Sequence, residues 1–186
     1  MRLARRAVRA AGGVRCYQPT ESCAIIFSEG DAMAANWRIM HCPPADVFNV
    51  LADGWLYPSW VVGASRIRGV EGTWPAPGSA IHHSFGVWPA LLDDTTSVLE
   101  WDPPKHALLK ARGWPMGEAK VAIEVREHPR GCRVLLKENA LSGPARLVPP
   151  VVTNAMLRLR NVETLRRLAY LAEGGAGTVK YRGAAS

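Results

Sequence analysis

At 186 residues, 48% hydrophobic and 21% charged, the chain is long enough for one substantial domain and short for two. No run approaches the roughly 18 uninterrupted apolar residues of a membrane-spanning helix, which excludes an integral helical membrane protein. The formal charge of +7 is dispersed and comes with neither an aromatic RNA-binding motif nor a helix-turn-helix pattern, so no specific nucleic-acid partner is expected.

Residues 1–34 begin arginine-rich, through Arg2, Arg5, Arg6, Arg9 and Arg15, and then lose all pattern. They lack the roughly 7–15-residue apolar core of a secretory signal. The expectation is a disordered extension or a mis-called start, with Met33 as initiator, although the basic, acid-poor opening also resembles an organellar transit peptide. Cys16, Cys23, Cys42 and Cys132 form no CxxC pair and no zinc spacing. They read as free thiols in a reducing cytoplasm, a secreted chain with one stray disulfide being the alternative. A folded domain over 35–174 and a flexible tail over 175–186 complete the expected organisation.

From Asn36 the pattern changes, and Trp37, Ile39 and His41 alternate with Arg38 and Met40 as in a short strand. Pro43 and Pro44 end it. Val47, Phe48, Val50 and Leu51 then fall at helical spacing over 45–52, Asp53 and Gly54 stop that helix, and 56–61 reads as a second, shorter one. Six further strands follow at 65–71, 79–87, 94–101, 106–114, 118–127 and 132–141, with a tight hairpin turn at Pro129 to Gly131.

The last element, 149–173, places Val152, Ala155, Met156, Leu159, Val162, Leu165, Leu168, Ala169 and Ala172 at three- and four-residue steps, the mark of a helix with one buried face. Arg158, Arg160, Glu163, Arg166, Arg167 and Glu173 are assigned to water. Tandem prolines suit its start, Gly174 and Gly175 suit its end, and about 23 residues give a length of about 34 Å. The expected architecture is α+β: a curved antiparallel sheet of about seven strands around a long C-terminal helix, with two short helices after the first strand.

This order of elements, with PPADVFNVLADGWLYPSW (43–60), PGS (77–79), EWDPPKHALLKARG (100–113), GEAKVAIEV (117–125) and SGPARLVPP (142–150), resembles the polyketide cyclase/dehydrase and lipid-transport branch of the START/Bet v1-like (SRPBCC) superfamily. The resemblance implies a helix-grip fold with an apolar cavity between sheet and C-terminal helix. It does not fix chemistry, since such proteins include lipid carriers, polyketide cyclases and hormone receptors.

Strand parity independently puts Ile81, Phe85, Leu99, Trp101, Val121, Ile123, Val134 and Leu136 on the concave face, opposite Met156 and Leu159, with Trp60 near the mouth. A cavity so lined prefers an apolar or aromatic ligand; burying about 300 Å² of it at about 25 cal/mol per Å² gives about 7 kcal/mol gross, consistent with micromolar binding. The competing expectation is that large side chains fill the space. Glu138 shares the parity of Val134 and Leu136, and an inward carboxylate would have a raised pKa and act as a general base or hold a polar ligand end. His83, with Ile81 and Phe85, is the inward member of the His82 and His83 pair; adjacent histidines face opposite sides of a strand, so no metal site is expected. Arg112 is a candidate cavity cation only if a bulge at Gly113 turns it inward.

The leading expectation is binding of a hydrophobic small molecule (lipid, isoprenoid or polyketide-like) for transport, storage or presentation. No cofactor is expected. The first alternative is a polyketide aromatase/cyclase or dehydratase in which Glu138 or His83 moves protons and Arg112 stabilises an enolate. The second is an interaction protein, a monomer or homodimer, whose basic surface makes peripheral contact with a membrane or docks an acidic partner.

Overall fold

Period-two patterning becomes one seven-stranded antiparallel sheet. The computed structural model describes residues 33–87, 89–113, 117–140 and 150–177. Strands β1 (Met33–Met40), β2 (Ala64–Glu71), β3 (Ala80–Val87), β4 (Ala90–Asp102), β5 (His106–Gly113), β6 (Gly117–His128) and β7 (Gly131–Ala140) lie in the order β1-β7-β6-β5-β4-β3-β2. Six strands are thus a meander, each beside its neighbour in sequence, and β1 returns to the far side of β7. That pairing starts inside the expected extension, because Met33 and Ala34 already face Asn139 and Glu138 in the ladder.

Between β1 and β2 the chain makes α1 (Pro44–Ala52), a 3-10 turn (Gly54–Leu56) and α2 (Tyr57–Trp60). Pro44 occupies the first helical position of α1, where its missing N–H costs nothing. The Asp53 carboxylate accepts the Trp55 amide at 3.1 Å and so opens the 3-10 turn. Helix α1 buries Val47, Phe48, Val50 and Leu51, and Phe48 meets Trp101 edge-on with ring centroids 5.2 Å apart.

Two expectations need correction. Strand β4 carries a bulge, since the ladder with β5 pairs Val98 with Leu109 and Glu100 with Leu108, leaving Leu99 as the extra residue. The bulge breaks the parity that joined Leu99 to Trp101: Val98 is buried, Trp101 packs on the core and Leu99 is turned outward, 38% exposed.

The long helix α3 (Pro150–Glu173) also differs in phase from the expected one. Its C-terminal half buries Leu165, Leu168, Ala169 and Ala172 as expected, but the same face continues backward through Thr164 and Asn161, both buried, to half-buried Leu157. Leu159 is 75% exposed and Val162 53%. Apolar spacing favoured 159 and 162, whereas steps of three and four from Leu168 lead to 164, 161 and 157, and geometry rather than polarity decides which side meets the sheet.

The core lies beneath α1 and the C-terminal half of α3, around Met40, Phe48, Ile81, Ile123, Val134 and Leu168. The end of α3 is fastened by the His41 amide, which donates to Glu173 Oε1 at 2.8 Å. Nearby, Cys42 and Cys132 are buried free thiols, the former hydrogen-bonded to the latter. Among the described residues no helix is long and apolar enough to cross a membrane.

Candidate functional site

Where α2 and the N-terminal half of α3 cover the sheet, side chains leave a cavity of about 210 Å³. Its walls are mostly apolar, with Val61, Phe85, Leu92, Leu109, Val121 and Leu136 among them. Two polar clusters interrupt those walls.

The first follows from ladder register, which sets His83 of β3 opposite Asp94 of β4. Alternation along β4 brings Thr96 to the same face. His83 Nε2 lies 3.1 Å from Thr96 Oγ1 and 3.9 Å from Asp94 Oδ2, and Thr96 Oγ1 is 2.8 Å from the Tyr57 hydroxyl. The Tyr57 ring leans on the imidazole with centroids 4.9 Å apart. Asp94 Oδ1 accepts the Thr95 amide at 2.6 Å. His83 Nδ1 makes no well-aligned hydrogen bond, although the Ser84 backbone is near enough to favour the protonated ring. Tyr57, His83, Asp94 and Thr96 are all buried.

Burial sets the electrostatics here. It pushes the His83 pKa down, opposed by the Asp94 carboxylate, and pushes Asp94 up, opposed by His83. Burial also raises the Tyr57 pKa, so its hydroxyl stays protonated. A histidine depressed below its ordinary 6.5 binds its proton less readily folded than unfolded. Its contribution to stability is therefore present above that value and lost as pH falls through the folded one. Asp94 acts oppositely: raised above 3.8, it favours the folded state as pH falls through its folded pKa towards 3.8. The expected result is a loss of stability as pH falls below 6.5 that His83→Gln flattens, read by urea unfolding. Equal slopes in the two proteins would reject the assignment.

The second cluster joins β7 to α3. Glu138 is 5% exposed, and Arg160 Nη2 donates to its Oε2 and, at 3.4 Å, to Asn161 Oδ1. Thr164 Oγ1 accepts the Val62 amide at 3.3 Å, tying the segment after α2 to the helix. The inward Glu138 therefore does not stand alone in an apolar space.

Of the residues singled out by sequence, Trp60, His83, Phe85, Val121, Leu136 and Glu138 line the cavity together. Ile81, Trp101, Ile123 and Val134 pack in or against the core instead. Leu99 and Leu159 face solvent, and the side chain of Met156 lies outside the described residues. Arg112 is 75% exposed and pairs with Glu118 at 3.5 Å, beside the Lys110–Glu118 pair at 2.9 Å. It is not the cavity cation; Arg160 is. Sequence reasoning gave Arg160 to solvent because it sat between apolar residues, yet it lies four residues before Thr164 and eight before Leu168, on their side of the helix. Asp94, Thr96 and Asn161 were missed too. The signal for two of them was the alternation Asp94, Thr96, Val98, hidden by counting parity backward from Trp101 across the bulge.

Residues 36–173 match the family described as polyketide cyclase / dehydrase and lipid transport. The chain belongs to that family. No curated protein matches it in sequence. Among solved structures, a protein from Chromobacterium violaceum superposes with a TM-score of 0.61 at 18% identity, covering 76% of this chain and 97% of that one. The di-domain ARO/CYC protein StfQ of the steffimycin biosynthetic pathway gives 0.63 at 11% identity, covering 77% of this chain and 51% of that one. Ara h 8.0201 gives 0.61 at 13% identity, covering 76% and 97%. At such identities these likenesses concern the fold alone; the family match is what places the chain in the SRPBCC superfamily. Membership fits hydrophobic-ligand binding or cyclase/dehydrase-like chemistry.

Proposed function

We propose that the protein binds a compact, largely apolar small molecule in the cavity between sheet and α3, with the molecule's polar end at the two polar clusters. The carrying observation is the cavity itself: about 210 Å³, apolar along most of its wall and polar in two places. Size selects among ligands. A dry cavity of about 150 Å³ takes up benzene, so this one suits a body of about two fused rings and is short of room for a long acyl chain. Carriage or presentation of such a molecule follows naturally from a site that encloses it.

The test is thermal unfolding with 2-acetylnaphthalene and, separately, palmitate. At a hundred times its Kd the naphthalene is expected to add about 2.7 kcal/mol, raising Tm by about 5–10 °C, with palmitate leaving it unchanged. Stabilisation by palmitate alone would reverse the size argument, and stabilisation by neither would remove the support for a ligand of this kind.

The buried His83–Asp94 pair favours one further reading, dehydration of a β-hydroxyketone. Neutral His83 would take the α-proton, the electrons would move into the carbonyl as an enolate facing Arg160, and hydroxide would leave with the proton of the imidazolium as water. Formation of an enone from a β-hydroxyketone by the wild type and its loss in His83→Gln would support this reading; turnover unchanged in the variant would dismiss it.

A further inference from the structure

We infer that the ligand's head group at the α3 side of the cavity is an uncharged carbonyl oxygen, which accepts hydrogen bonds from donors among Trp60, Arg160 and Asn161. The inference rests on the ligand-binding reading above and adds the chemistry of the polar end.

It comes from counting donors and acceptors. Trp60 Nε1, Arg160 Nε and Asn161 Nδ2 are buried and have no hydrogen-bond partner among the described residues, and all three residues line the cavity. The orientation of the Asn161 amide is not arbitrary: a guanidinium only donates, so the atom facing Arg160 Nη2 must be Oδ1, which leaves the amide NH₂ as the unmet group. Three acceptor atoms beside them already take a hydrogen bond each. Glu138 Oε2 and Asn161 Oδ1 each take a hydrogen bond from Arg160, and Thr164 Oγ1 takes one from the Val62 amide. Native interiors rarely leave buried polar groups unpaired, and apart from His83 Nδ1 on β3 the unpaired atoms of the described lining are all donors. A carbonyl oxygen, with two lone pairs and no proton of its own, is the complement.

Charge separates a carbonyl from a carboxylate. Arg160 is already met by Glu138, so an acid would bring a second anion against Glu138, with Asp94 also in the wall. His83, neutral because burial lowers its pKa, supplies no compensating cation. A hydroxyl would bring a donor to a place that has donors to spare. Ketones, quinones and lactones satisfy the site; free acids do not.

The experiment compares three probes of one shape, 2-acetylnaphthalene, 2-isopropylnaphthalene and 2-naphthoate, by tryptophan fluorescence or calorimetry at neutral pH. The ketone is expected to bind about ten-fold or more tightly than the hydrocarbon, and naphthoate most weakly, because buried donors left unpaired penalise a ligand without an acceptor. Trp60→Phe and Asn161→Leu should each shrink the ratio of ketone to hydrocarbon affinity. Glu138→Gln, which leaves the Arg160 charge unmet, should raise naphthoate affinity about ten-fold. Equal binding of ketone and hydrocarbon by the wild type would overturn the carbonyl assignment while leaving the cavity reading intact. Tightest binding of naphthoate would overturn it in favour of an acid, and failure of all three probes would overturn the cavity reading and this inference together. The wild-type ratios decide the matter even if a variant does not fold.

Discussion

Arg160→Met is expected to lower stability by about 3 kcal/mol, and adding Glu138→Leu to it should recover most of the loss. The reason is asymmetry. Glu138 points inward from β7 with its side chain 6% exposed, so the carboxylate has given up most of its water and accepts a hydrogen bond from Arg160. Removing the cation strands a buried anion, whereas removing both charges leaves a wall of apolar character like the rest of the cavity. The figure sits at the low end of what stripping a buried pair costs because Arg160 itself is 29% exposed and partly wet. Urea unfolding at constant m-value measures it. A single-variant loss below about 0.5 kcal/mol would mean that the pair behaves as a surface salt bridge and would weaken the assignment of Arg160 as the cavity cation.

Gly131→Ala is expected to cost about 4 kcal/mol. Two costs combine there. Gly131 has φ +125°, which side chains rarely adopt, and a Cβ on it would sit 2.3 Å from the Met40 carbonyl oxygen and 2.8 Å from the Cys42 nitrogen. Both neighbours are backbone. Moving them would disturb the register that pairs Met40 with Cys132, and with it the closure of β1 on β7. Gly78 is the internal control: its φ is +88°, but a Cβ there meets nothing within 4 Å. Gly78→Ala should therefore show only the backbone term, about 1–2 kcal/mol. Equal losses for the two variants would show that the close approach of β1 contributes nothing.

The fold was largely legible because its signals are local. Alternation fixed all seven strands to within a few residues at their ends, and the Pro129–Arg130–Gly131 turn identified the β6–β7 hairpin. The prolines at 43 and 44 and the Asp53–Gly54 stop delimited α1 for the same reason. The site was less legible. Alternation correctly set His83 and Glu138 on buried faces, as period two requires of regular strands. It failed at Leu99, where one inserted residue reversed every side chain beyond it in the count. On α3, sorting by polarity sent Leu159 inward and Arg160 outward, and both are the other way round.

What the sequence by itself determined is the succession of elements, the single-sheet α+β class and the family resemblance. Each rests on the conformational preference of a few adjacent residues or on a period that repeats within one element. Tertiary structure alone decided which polar groups meet. Glu138 and Arg160 are 22 residues apart and His83 and Asp94 are 11 apart, and their contacts depend on the rotational setting of α3 over the sheet and on the β3–β4 register. It also decided that a cavity remains at all, because Ile81, Trp101, Ile123 and Val134, indistinguishable by pattern from Phe85, Val121 and Leu136, are drawn into the packed half under α1. A buried face can be written into a strand by alternation, but whether that face meets a neighbour or an empty space is set by the elements that close over it.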